Sequence, residues 1–226
     1  MSSPSAADVS DASLYNWPYS SASYRVRIAL ALKGLRPERI IDINLRNGEQ
    51  QQPQYMAVAP QGLVPALRFA EVTLTQSLAI MEWLEEVSSE PPLLPKDPLA
   101  RARVRAFALS IACDIHPINN PRVLNYLRQE FARDEPDITK WYRHWVEAGL
   151  AACERLVTEA RNPTDIFCFG TVPTIADICL VPQLYNARRF QCDLSSCPTL
   201  VAIDEAASQV PAFAAAHPEQ NPALTV

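Results

Sequence analysis

Three places in the sequence put a hydroxyl, an amide or a proline where a ligand could use it. The first is Ser20-Ser21-Ala22-Ser23, which opens the helical pattern "SYRVRIALALKG". A serine at a helix start either caps the free N–H groups or donates to an anion held at the positive end. No histidine or carboxylate lies nearby in the sequence to activate a serine as a nucleophile, which disfavours a Ser-His-Asp hydrolase. The second is Pro65 in the strand-like run "GLVPALRF". Proline withholds one ladder donor, so it marks a plain edge, a bulge or a cis Val64–Pro65 bond. A bulge or a cis bond would turn the Val64 backbone groups outward, where an extended peptide could pair with them. The third is "TQSLAI". Ser77 reads as an N-cap, and the first N–H groups of the helix also suit a carboxylate.

Other chemistry finds little support. The six cysteines, Cys113, Cys153, Cys168, Cys179, Cys192 and Cys197, form no C-x-x-C pair, and several sit in apolar segments. They read as reduced, mostly buried thiols in a cytosol-like compartment. With three scattered histidines, no metal site is expected. The net charge of −5 suggests neither a nucleic-acid nor an anionic-membrane partner. No apolar run reaches the roughly 18 residues of a membrane span. The first residues, "MSSPSAADVSDAS", lack the basic and apolar regions of a secretory signal.

The elements that must position these residues fall into two halves. Up to residue 87 the patterns alternate. "SLYNW" is a strand, "SYRVRIALALKG" a helix closed by Gly34, and "ERIIDIN" a strand. "GLVPALRF" and "EVTLTQ" are further strands, and "SLAIMEWLEEV" is an amphipathic helix. The order β-α-β-(loop or helix)-β-β-α is that of a small α/β layer. "SSEPPLLPKDP" then places four prolines in eleven residues, which neither a helix nor a central strand accepts. Beyond it every apolar pattern is helical, so the second half is expected to be a helical bundle. Within it, Thr174-Ile175-Ala176-Asp177 is a capping box, a folding element with no chemistry of its own. Arg25 and Arg27, inside the first helix, read as structural salt-bridge partners.

Taken together, the strand-to-helix serines, the Pro-interrupted strand, the Gln-Ser helix start and the helical half resemble the glutathione transferase family. More narrowly they resemble its zeta class, the maleylacetoacetate isomerases. The matching segments are "SSASYRVRIALALKG", "GLVPAL", "TQSLAIMEWLEE", "LLPKDPLARARVRA", "ACDIHPINNPRVLNYL" and "TIADICLVPQLYNARRFQCDL". The resemblance implies an α/β plus all-α architecture. A thioredoxin-like glutathione-binding domain over 12–88 follows a disordered tail at 1–11. A linker at 89–97 then leads to an all-helical domain over 98–226.

The resemblance also implies glutathione as cofactor, with its thiolate held by Ser20 and with Ser21 and Ala22 lining the site. Gln50, Val64, Gln76 and Ser77 match glutathione-binding positions: Val64 for the cysteinyl backbone, Gln76 and Ser77 for the γ-glutamyl carboxylate. Asp114, His116 and Asn120 match positions facing glutathione or substrate, and Arg189 matches a substrate-facing arginine. The family motif usually reads Ser-Ser-Cys-Ser or Ser-Ser-Thr-Ser, where this chain has Ala22. The residue before it is often Arg, where this chain has Tyr19. The Tyr19 hydroxyl would take over part of a substrate contact or donate to the thiolate. The implied reaction is cis–trans isomerisation of maleylacetoacetate, a dicarboxylate of tyrosine breakdown, by a cytoplasmic homodimer. Maleylpyruvate isomerisation, transfer to small α-haloacids and non-catalytic glutathione binding are the alternatives.

Overall fold

Four short strands and a longer series of helices arrange themselves as follows in a computed structural model that describes residues 4–221. In chain order the elements are β1 (Ser13–Asn16), α1 (Ser21–Leu32), β2 (Arg39–Asp42), α2 (Pro53–Met56), β3 (Ala66–Phe69), β4 (Val72–Thr75) and α3 (Ser77–Val87). They continue with α4 (Pro98–Leu109), α5 (Pro121–Glu130), α6 (Glu135–Ala160), α7 (Ile175–Arg189), α8 (Pro198–Ser208) and α9 (Pro211–Ala216). Contacts divide the chain into two units, 1–93 with 210–226, and 94–209.

The first unit is built on a sheet of order β2-β1-β3-β4. β1 runs parallel to β2 and antiparallel to β3, and β3 turns back on β4. The parallel pair needs a crossover, which α1 supplies. α1 packs against both α3 and α9 and is buried nearly all round. Its arginines are held inside that packing. Arg27 donates to carbonyl and amide oxygens: Pro18 O at 2.9 Å, Ala216 O at 3.1 Å and Asn16 Oδ1 at 2.7 Å. The Ala216 bond ties α9 to α1, so residues 210–221 belong with the first unit and not, as expected, with the helical domain. The Lys33 ammonium is likewise buried, on Glu85 at 2.6 Å and on the carbonyls of Ser88 and Pro91.

The described part of the expected disordered tail is ordered. Ala7–Asp11 is a 3-10 turn with Val9 fully buried, and Asp8 accepts from Ser5 N and Oγ at 2.7 Å each. Burying Val9 and closing that turn outweigh the chain entropy a solvated tail would keep. Residues 1–3 of the expected tail lie outside the described residues.

In the second unit α7 is the central element, buried from Ile175 to Leu184 and flanked by α4 and α8. Its start is the expected capping box: Asp177 Oδ2 accepts from Thr174 N at 2.7 Å, and Thr174 Oγ1 accepts from Ala176 N at 3.3 Å. α4 runs into a π-helical turn, Ser110–Ile115, where the sequence pattern reads as uninterrupted helix. Gly149 of α6 makes room for it. A Cβ there would lie 2.4 Å from Ile115 Cγ1. Among the described residues no helix is long and apolar enough to cross a membrane.

Candidate active site

Of the residues singled out in the first unit, Ser20, Ser21 and Ala22 lie at the start of α1 and Gln76 and Ser77 at the start of α3. Ser20 is the N-cap of α1, with extended backbone at φ −77°. Its carbonyl accepts from Tyr24 N at 2.8 Å, and its Oγ accepts from Ser23 N at 3.3 Å, a long cap bond. Among the described residues no acceptor takes the proton of the half-buried Ser20 hydroxyl. Ser23 does a different job. It is fully buried, and its Oγ accepts from Trp17 N at 3.3 Å, closing the turn from inside. Ser21 is buried as the first residue of α1, and Ala22 is half-buried beside it. Arg27 holds the Pro18 carbonyl from beneath, which fixes the turn that carries Ser20.

Tyr19 lies half-buried against the cluster of Trp17, Ile43, Tyr55, Ala59, Val64 and Ala66. Its ring meets that of Trp17 edge-on at 5.9 Å. Val64 belongs to the same cluster, and the Val64–Pro65 bond is cis, one of the arrangements the proline pattern left open. The strand register of β3 begins only at Ala66, so Val64 lies beyond the ladder. Tyr55 Oη donates to Leu63 O at 2.6 Å and anchors the approach to it.

Ser77 is not the N-cap the residue type suggested. That position is Gln76, held at φ +68°, and Ser77 is the first helical residue. The Ser77 Oγ points inward and accepts from Arg25 Nη1 at 3.3 Å. No side chain caps α3. Its first turn therefore keeps free N–H groups at the positive end of the helix, with a buried guanidinium behind them, a setting that favours a carboxylate. The Arg25 bond also draws the starts of α1 and α3 together.

Gln50 and Gln76 converge on the segment 61–64 from two sides. Gln76 Nε2 donates to Gln61 Oε1 at 2.9 Å. The 3-10 turn Glu49–Gln51 presses on Gly62, where a Cβ would lie 3.0 Å from Gln50 O. Gly62 also sits at φ +61°, so glycine is required twice over. The Gln50 Oε1 is buried with no hydrogen-bond partner among the described residues, an acceptor awaiting a donor.

The second unit places its residues differently. Asp114 is exposed on the π-helical turn, and half-buried His116 joins that turn to the 3-10 turn Pro117–Asn119. Asn120 caps α5, its Oδ1 accepting from Arg122 N at 3.1 Å. These three share one short segment. Arg189 stands in the last turn of α7, exposed, with Nη1 on Asn186 Oδ1 at 3.3 Å and its guanidinium over the Tyr185 ring.

All six cysteines lie between residues 113 and 197, outside the first unit. Burial pushes the Cys153 thiol up to about 12 and the Cys192 thiol up to about 11. Cys168, fully buried beside Asp177, is pushed well above the ordinary range. These thiols stay protonated and inert at neutral pH. A thiolate at the Ser20 turn would thus have to come with a ligand. Among the described residues no group of histidines, cysteines and carboxylates could hold a metal ion.

The chain is similar to known proteins in sequence and fold. The family model for the glutathione S-transferase N-terminal domain matches residues 19–87. The maleylacetoacetate isomerase of Pseudomonas aeruginosa is 47% identical over 92% of this chain and 97% of its own length. The maleylpyruvate isomerase of a Ralstonia species is 46% identical over 92% of this chain and 98% of its own. Among solved structures, a holo maleylpyruvate isomerase, a bacterial zeta-class glutathione transferase, superposes with a TM-score of 0.90 at 45% identity, covering 93% of this chain and 99% of that one. A maleylacetoacetate isomerase of Methylobacterium extorquens with bound malonate and glutathione gives 0.89 at 36% identity, over 95% and 100%.

Proposed function

The chain belongs to the glutathione transferase family, in the zeta class with the maleylacetoacetate and maleylpyruvate isomerases, and from that premise we propose that it isomerises maleylacetoacetate from cis to trans with glutathione as cofactor. One observation carries the reading. A half-exposed serine hydroxyl opens one helix and an uncapped start opens another, the two helices joined by the Arg25–Ser77 bond in a unit that holds no thiol of its own.

The residues present fit glutathione. The open N–H groups of α3, with Gln76 and Ser77, suit its γ-glutamyl carboxylate. Val64, beyond the sheet ladder, suits backbone pairing with the cysteinyl residue, and the partnerless Gln50 Oε1 suits a donor of the peptide. Bound glutathione supplies the thiolate whose reversible addition lets the substrate's cis double bond rotate. Ser20 Oγ–H donates to that sulfur, and the positive end of α1 adds its field, with Ser21 and Ala22 lining the position. Lowering a thiol from about 8.5 by two units is worth about 2.7 kcal/mol, within reach of one hydroxyl donor and a helix end. By family position, Asp114, His116 and Asn120 are assigned to glutathione or substrate, and Tyr19 and Arg189 to the substrate. The enzyme works in the cytoplasm as a homodimer in tyrosine breakdown.

The test is to mix the purified protein with maleylacetoacetate, with and without glutathione, and follow the ultraviolet change. Conversion only with glutathione is expected. No conversion by a protein that still binds glutathione overturns the enzyme reading. The 46% identity to a maleylpyruvate isomerase makes that substrate the second reading, assayed in parallel.

A further inference from the structure

We propose that Arg46 is the cation that takes a substrate carboxylate beside Ser20, with the Tyr19 ring as its platform. The proposal rests on the dicarboxylate reading above and names a residue that reading does not use. The Arg46 guanidinium carbon lies 5.7 Å from the centre of the Tyr19 ring, and Tyr19 directly precedes Ser20. Tyr19 is held in turn by Trp17 and the cluster beneath it. The Arg46 backbone is fixed as well: its N–H donates to Asn44 Oδ1 at 3.0 Å, and Asn44 N donates to Glu49 Oε2 at 2.6 Å.

The two arginines of α1 are committed. Arg25 is buried on Ser77, and Arg27 is buried on Asn16, Pro18 and Ala216. Arg46 is exposed, and no carboxylate lies within ion-pair distance of it among the described residues. A guanidinium lying over an aromatic face keeps its N–H edge for a ligand, and that planar edge matches a carboxylate in a two-point contact. Stacking also holds the long side chain in place before the ligand arrives, which lowers the entropic cost of binding. Arg46 is thus a substrate-binding residue, and Tyr19 is its positioning residue.

The test compares wild type with Arg46→Met, which keeps apolar cover on Tyr19 without the charge, and Arg46→Lys, which keeps the charge without the planar fork. With maleylacetoacetate or maleylpyruvate, Arg46→Met should raise KM about tenfold, as loss of one charge-assisted hydrogen-bonded contact does. Its kcat should stay within about threefold of wild type, the signature of lost ground-state binding. Arg46→Lys should fall between the two. Calorimetric binding of malonate to the glutathione-loaded protein should weaken by the same factor, while glutathione affinity stays unchanged. Unchanged KM and unchanged malonate affinity in Arg46→Met overturn the proposal. So does a parallel loss of glutathione affinity, which would assign Arg46 to the cofactor. If wild type turns over neither substrate but Arg46→Met still loses malonate, the activity reading fails and the Arg46 carboxylate site stands.

Discussion

Helix starts in this molecule are finished in two opposite ways, one at Thr174 and the other at the pair Ser20 and Gln76. At Thr174 the chain completes the helix itself. Asp177 is fully buried, and its oxygens accept from Thr174 N, Thr174 Oγ1 and Cys168 N at 2.7, 3.0 and 2.7 Å. At Ser20 a single 3.3 Å bond closes the cap, and at Gln76 no side chain closes it at all. The first start commits its polar groups to stability. The second pair keeps donors in reserve, and a ligand is what completes it. Helix capping and anion binding draw on the same N–H groups, so a helix start cannot do both fully.

The comparison breaks most readily at Asp177. Asp177→Ala removes the capping box and strands the Cys168 and Thr174 N–H groups in the interior. It should cost about 3 kcal/mol of stability in denaturant unfolding. Burial pushes this carboxyl up, while its backbone and side-chain hydrogen bonds pull it down. Asp177→Asn, which keeps one acceptor, should therefore cost less. A loss no larger than that of an exposed cap would remove the contrast.

Ser20→Ala should show the reverse signature. Losing one preorganised donor should cut the glutathione-dependent rate about a hundredfold. Stability should drop by only about 1 kcal/mol, the ordinary value of a cap. A variant that unfolds easily but keeps its rate would make Ser20 a structural cap only.

The smallest effect is expected at Gln76, and it sharpens the contrast. A non-glycine residue at φ +68° is strained. Gln76→Gly should stabilise the protein by about 1 kcal/mol while weakening glutathione binding. A gain in both would mean that the Gln76 side chain has no part in the site.

The sequence carries such local signals well and distant ones poorly. The strands, α1, α3 and the Thr174 box were legible because their patterns lie within a few residues. The place of α9 was not, because the bond that fixes it joins Arg27 to Ala216, 189 residues away. Val9 gave too short a pattern to mark a buried turn. The π-helical turn at 110–115 reads as helix because its apolar spacing is nearly helical, and the residue that accommodates it, Gly149, lies on another helix. At the site, residue type located Ser20 as a cap. It misplaced Ser77, because the backbone of Gln76, not the preference of serine, decides where α3 begins. Arg46 carried no motif. Only the fold brings it over Tyr19.

The central claim, that the start of α1 holds a thiolate at Ser20, is tested most directly by titrating glutathione bound to the protein. The ultraviolet absorbance of the thiolate would be followed against pH in wild type and in Ser20→Ala. The account predicts a midpoint near pH 6.5, about two units below free thiol, that returns most of the way toward about 8.5 in the variant. The same midpoint in both proteins would contradict it.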